Sequence, residues 1–191
     1  IMAPRLYSED CNFVAEAGLA YVQEAQKQGM AVSIKHFPGD GVDERDQHLV
    51  TTINSLSCED WDKSYGMVYK KLIDAGALTV MCGHIMQPAY SQKLNPDLKP
   101  EEIMPATLAP ELLQGLLRGN LKFNGLIITD ATTMNGMTIP MSRKKAVPYT
   151  IAAGCDMFLF TKNMDEDFEY MKQGYRDGIL TEERLEEALI R

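Results

Sequence analysis

The strongest constraint on the fold is an alternation of short apolar runs with longer stretches of helical periodicity. The runs are MAVSIKHF (30–37), ALTVMCGHI (77–85), LIITD (126–130) and CDMFLF (155–160). Ahead of the first, Val14, Ala17, Gly18, Tyr21, Val22 and Ala25 fall on one helix face, with Ser8 as expected cap and Gly29 as stop. Ser57 is expected to cap a second helix bearing Trp61, Tyr65, Val68 and Leu72, which ends at Gly76. Residues 105–121 read as a third helix with Pro110 and Glu111 in its first turn. Residues 143–154 also read as helical, and Pro148 predicts a late start or a kink. Two short helices close the chain, the last opening at Thr181 with Glu182 and Glu183 behind it.

Apolar strands separated by helices make a parallel sheet covered on both faces. Two architectures fit: an open doubly wound sheet, or part of a (β/α)8 barrel. Lys35, His36, His84 and Asp130 each stand at the C-terminal end of a run, and Asp156 at the start of the last. Barrel sites draw residues from the C-terminal ends of several strands, whereas an open sheet gathers its ligand contacts at one switch point. No GxGxxG or GxxxxGK[ST] pattern supports a nucleotide site. The reading is therefore an α/β chain of parallel β/α units. A whole barrel takes roughly 250 residues, so the visible runs supply about half of a TIM barrel, a single partial domain over 1–191.

A chain of 191 residues with 45% hydrophobic content can bury a core. Its net charge of −8 argues against a nucleic-acid partner, which needs basic residues in excess. No apolar run approaches the ~20 residues of a membrane span, and no signal peptide is visible. A cytoplasmic location is favoured, with a secreted parent left open. Cys11, Cys58, Cys82 and Cys155 are scattered without metal-ligand spacing, so they read as free thiols. No cofactor is expected.

The chemistry concentrates in KHFPGDGVDERDQH (35–48), which carries His36 and His48, two of the three histidines. Asp46-Gln47-His48 sets a carboxylate beside an imidazole, a unit suited to acid–base work near neutrality; the plain alternative is a solvated loop. Lys35 and His36, adjacent at a strand end, are expected on opposite faces. Lys35 could donate to substrate hydroxyls, form a Schiff base, or sit in a rim salt bridge. His84 carries the same ambiguity. Asp130 follows three apolar strand residues, where a carboxylate is either functional or the cap of the next helix. No HxH or HExxH spacing supports a metal.

Taken together, these motifs resemble family 3 glycoside hydrolases, in their β-N-acetylglucosaminidase branch. KHFPGDG is similar to that family's KHFPGHG, with Asp40 standing where the family has His. Asp46-Gln47-His48 resembles its D-S-H loop. HIMQPAY, then PATLAPELLQGLLRGNLKFNGLIITDATTMNGM, resembles the approach to its nucleophile strand, and AAGCDMFLF its last barrel strand. The similarity runs in order over nearly the whole chain.

The resemblance implies a retaining hydrolase of terminal β-N-acetylglucosaminides. In it Asp130 is the nucleophile and His48, oriented by Asp46, is the acid–base. Lys35 and His36 hold the sugar, joined by Arg5 in PRLYSED, and His84 is counted with these substrate-binding residues. The Gly39-Asp40-Gly41 segment is expected to let the dyad swing over the glycosidic oxygen. The resemblance further implies a carbohydrate substrate and a chain that is the C-terminal half of the catalytic barrel; on charge and hydropathy, no nucleic acid and no membrane are expected as partners. A half-barrel leaves strand edges and an apolar face open. Self-association, or a loop 38–48 displaced from Asp130, is expected, and the isolated chain need not be active. Rival readings are a family 3 β-glucosidase, a Schiff-base lyase or aldolase built on Lys35, and a non-catalytic carbohydrate-binding fragment.

Overall fold

A computed structural model of the chain describes residues 6–191. The first helix, α1 (Cys11–Lys27), is capped by Asp10, whose carboxylate accepts from the Asn12 N–H; Ser8 instead accepts from the Asp10 N–H one step earlier. The expected cap is thus displaced by two residues. Gly29 ends the helix with φ 78°, a left-handed conformation that glycine adopts without penalty. Strand β1 (Ser33–Phe37) follows. Ser57 caps α2 (Cys58–Trp61) as expected, accepting from the Asp60 N–H at 3.1 Å. The helix continues through a π turn (Asp62–Gly66) into α3 (Met67–Asp74), and Gly76 closes it with φ 89°.

Strand β3 (Thr79–Cys82) leads through α4 (Pro88–Leu94) to a π-helix (Glu111–Asn120), and then to β5 (Leu126–Thr129). Among the described residues, β1, β3 and β5 pair in parallel in that order, with Ile34 opposite Val80 and Val80 opposite Ile127. Helices α5 (Asn135–Thr138), α6 (Arg143–Ala153), α7 (Met164–Arg176) and α8 (Glu182–Leu189) complete the chain. Helix α6 begins at Arg143 and carries Pro148 inside it, so the late start is not observed. Thr181 caps α8, accepting from the Arg184 N–H at 3.1 Å.

Two features differ from the expected four strands. The last run keeps its place beside β5 but reduces to one bridge, Ile128 with Met157, supported by the Met157 N–H donating to the Ile127 carbonyl and the Thr129 N–H to that of Met157. The second is a parallel pair of two-residue strands, β2 (Thr52–Ile53) and β4 (Ile85–Met86). No periodicity can announce a strand of two residues.

The core lies between the sheet and its helices. Val80, Cys82 and Ile127 are buried beneath Leu112, Leu113, Leu116 and Leu117 of the π-helix and Leu72 of α3. The other face of the sheet, with Met81 and Ile128, is half-buried, so the expected cover on both faces is only partial among the described residues. Beneath the end of β1, Phe37, Trp61, Tyr69 and Tyr90 form a cluster of edge-to-face and stacked rings 5.1–6.5 Å apart. Cys82 and Cys155 are buried free thiols, Cys11 and Cys58 half-buried ones. No helix among the described residues is long and apolar enough to cross a membrane.

Candidate active site

The C-terminal ends of β1 and β5 and the loop that follows β1 enclose a cavity of about 300 Å³. Lys35, His36, Asp46, His48 and Asp130 all line it. The adjacent Lys35 and His36 therefore reach the same space rather than opposite faces. The β1–β3 pairing shifts register between Lys35 and Phe37, and strand alternation stops there.

Asp130 follows β5 directly, its N–H donating to the Cys82 carbonyl at 2.8 Å. It does not cap a helix, because α5 begins only at Asn135, with Met134 at its cap position. One of its carboxylate oxygens accepts from the Ala131 N–H at 2.7 Å. The other faces His36 Nε2 at 3.5 Å. The opposite ring nitrogen, Nδ1, lies 3.3 Å from Asp40 Oδ2. His36 thus stands between two carboxylates. Asp40 is stabilised as an anion. Burial alone would raise its pKa, but the His36 contact, the Gly41 N–H and the Gln47 amide together hold it below its ordinary value of 3.8.

The Asp46–His48 pair sits on the loop. His48 Nδ1 is 2.7 Å from Asp46 Oδ1, and the same oxygen accepts the His48 N–H at 2.9 Å. These two contacts, the backbone one foremost, hold Asp46 below the usual carboxylate range. Both side chains are exposed, His48 by 61% and Asp46 by 47%, so the free imidazole edge is open to a ligand. The Asn135 and Gly136 N–H groups donate to the His48 and Gln47 carbonyls and fasten this end of the loop to the segment after Asp130. The expected displacement of the loop from Asp130 is therefore not observed: both border one cavity.

The turn between the two halves of the site is also tied down. The Pro38, Gly39 and Asp40 carbonyls accept, in turn, from Trp61 Nε1 at 2.7 Å, Asn54 Nδ2 at 3.2 Å and the Tyr65 hydroxyl at 2.8 Å. Gly39 has φ 136°, and a Cβ there would fall 2.4 Å from the Tyr65 ring. The freedom expected of Gly39-Asp40-Gly41 is opposed by these contacts at Gly39 and Asp40, while Gly41 has room around it. Further along, Arg45 forms a bidentate pair with Asp43, which also accepts the Ile53 N–H at 2.9 Å; the guanidinium foremost holds that carboxyl far below its usual range.

Two expected contributors stand apart. His84 is fully buried and does not reach the cavity: Nδ1 meets the Thr107 hydroxyl at 2.9 Å, and Nε2 the Ala131 carbonyl at 3.1 Å. With both ring nitrogens engaged it supports the backbone after Asp130 and has no donor left for a sugar. Burial is the main cause that moves its pKa below 6.5, although the Ala131 bond and the Asp130 charge oppose it. Arg5 lies outside the described residues. Asn54, Trp61 and Tyr65, which support the loop, carry no motif of their own, and Gln47 enters one only as the middle of the Asp46-Gln47-His48 run. Among the described residues, no group of three or more His, Cys, Asp or Glu is arranged to hold a metal ion.

Titratable groups gathered at the C-terminal edge of a parallel β/α sheet stand where the active sites of barrels form. The chain belongs to glycosyl hydrolase family 3, whose N-terminal domain model matches residues 2–191. It is 56% identical over 187 residues to a β-N-acetylglucosaminidase/β-glucosidase of Cellulomonas fimi, covering 98% of this chain and 33% of that protein. A β-hexosaminidase of Stenotrophomonas maltophilia is 32% identical over 155 residues, covering 81% of this chain and 43% of that protein. Among solved structures, the β-glucoside phosphorylase BglX superposes with a TM-score of 0.96 at 49% identity, over 98% of this chain and 34% of the other. A family 3 β-N-acetylglucosaminidase from Paenibacillus sp. gives 0.87 at 27% identity, over 98% and 34%. The chain thus spans between a third and a half of the length of these relatives.

Proposed function

We propose that this chain contributes the nucleophile and the acid–base of a retaining β-glycosidase acting on terminal β-N-acetylglucosaminides. Asp130 attacks the anomeric carbon while His48, oriented by Asp46, protonates the departing oxygen; His48 then deprotonates the water that releases the sugar. Lys35 binds the sugar hydroxyls, and His36 joins it through Nε2, which faces Asp130 at 3.5 Å rather than in a close hydrogen bond. The observation that carries this reading is the meeting of Asp130 and the Asp46–His48 pair on one cavity. An imidazole can serve in turn as acid and as base. The names of the Cellulomonas fimi and Stenotrophomonas maltophilia relatives support the sugar class. We read residues 1–191 as the C-terminal half of a catalytic barrel, whose half-buried sheet face is covered by the remainder of a barrel or by a second copy of the chain.

A second reading shares the first step and differs in the second. The relative at 49% identity is named a β-glucoside phosphorylase, and in a phosphorylase inorganic phosphate, not water, takes the sugar from the enzyme. A carboxylate base would repel that anion, whereas a neutral imidazole does not. One experiment tests both. The intact protein is given nitrophenyl β-N-acetylglucosaminide and β-glucoside, with and without phosphate, and the sugar product is identified. Free N-acetylglucosamine in both conditions supports hydrolysis, and a sugar 1-phosphate supports the second reading. Absence of nitrophenol release from either substrate sinks both.

A further inference from the structure

The two positions at which the loop departs from the motifs it resembles, Asp40 and Gln47, touch each other. Gln47 Nε2 donates to Asp40 Oδ2 at 3.0 Å. Gln47 is 5% exposed, and its other side-chain atom, Oε1, accepts the His84 N–H at 2.7 Å. Its amide is therefore fully directed: one end anchored at the turn after β3, the other on Asp40. From Asp40 the chain of contacts runs through His36, at 3.3 Å, to Asp130, at 3.5 Å. Gln47 also lies between Asp46 and His48 in sequence, so moving its side chain moves the loop that carries both.

We infer that Asp40 and Gln47 are a coupled pair of positioning residues: Asp40 sets His36 against Asp130, and Gln47 locks the Asp46–His48 loop to that same carboxylate. The inference rests on the roles proposed above for Asp130 and His48. It assigns to the pair the spacing between nucleophile and acid–base, which neither residue touches through substrate. Either residue alone is insufficient. Without Gln47, Asp40 keeps the Gly41 N–H and His36 but loses its link to the loop. Without a carboxylate at 40, the Gln47 amide has no charged acceptor, and the His36 ring no fixed partner at Nδ1.

A double-mutant cycle in the intact protein tests this, with Asp40→Asn, Gln47→Ala and both together. The substrates are β-N-acetylglucosaminides with activated and with poor leaving groups. Each single variant should lower kcat/KM by about 10–100-fold, as a displaced catalytic group does. The loss should be larger for poor leaving groups, and the double variant no worse than the weaker single. Losses that multiply, or that are equal for all leaving groups, overturn the coupling. Amide hydrogen exchange at residues 41–48 and His84, in the same four proteins, needs no substrate. Deprotection of both segments by either variant supports the pair, and independent deprotection overturns it even if the wild type cleaves no glycoside. In that last case the reading of the site falls separately.

Discussion

Asp130 and Asp156 are the same residue type on neighbouring runs of one sheet, at its opposite ends. Asp156 is held by three donors. Its oxygens accept from Arg118 Nη2 at 2.6 Å, Arg184 Nη2 at 2.7 Å and the Ile127 N–H at 2.8 Å, and its side chain is 1% exposed. Asp130 accepts one backbone N–H, meets His36 at a longer distance, and keeps 16% of its side chain open to the cavity. A carboxylate offers about four lone-pair sites. Where the fold engages them it obtains a clamp; where it leaves them open toward a cavity, the carboxylate stays available to a ligand, as the role proposed for Asp130 requires. The histidines repeat the contrast, His84 with both nitrogens engaged inside and His48 with one edge free.

The contrast breaks if exchanging the two aspartates for uncharged residues has similar consequences. Asp130→Ala should lower glycoside turnover in the intact protein by at least about 10³-fold, roughly 4 kcal/mol of barrier, with little change in urea unfolding. Near wild-type turnover removes it as nucleophile. Asp156→Asn should do the reverse. Leaving Arg118 and Arg184 against a neutral acceptor should cost about 3 kcal/mol of stability, with turnover per folded molecule preserved. Unfolding curves paired with active-site titration separate the two effects.

The histidines sharpen the comparison further. His48→Ala should reduce turnover of poor leaving groups by about 10²-fold and activated aryl glycosides far less, with Asp46→Ala milder on the same axis. Equal losses across leaving groups would reduce His48 to a binding residue. His84 should show itself only in stability. Its folded pKa lies below 6.5, so the unfolded chain takes up protons first as pH falls. The stability it contributes is complete above about pH 6.5, and it is lost as pH drops through the folded value. His84→Gln should flatten that part of the profile, the smallest of these effects, read from melting temperature between pH 7.5 and 5.5.

The stops at Gly29 and Gly76 and the Ser57 and Thr181 caps were legible because each rests on neighbours within a few residues; the parallel order was legible from the alternation of apolar runs with helices, whereas the short helices α4 and α5 were not. The position of Asp130 at a strand end was legible too. Legibility failed where the partner is remote in sequence. The Gln47 amide is decided by His84, the Pro38 carbonyl by Trp61, and the burial of His84 by Thr107 and Ala131. Lys35 and His36 obeyed strand alternation on paper, and a register shift undid it. The family resemblance supplied roles for Asp130 and the Asp46–His48 pair, which local chemistry alone left open between function and capping or solvation.

The two-residue pairing of β2 with β4 has a consequence for how such a site can diversify. The chain leaves the sheet at Phe37 and is caught again at Thr52, whose N–H donates to the His84 carbonyl at 3.3 Å. The excursion between them is therefore a closed loop with a fixed base, and its tip, around Val42 to Arg45, lies away from the core. For a loop clamped at its foot, doubling the length adds only about 0.6 kcal/mol of closure entropy. New residues at the tip would alter the lining of the cavity without disturbing the strand that presents Asp130. Insertions there are expected to cost far less stability than substitutions in the core beneath Asp130.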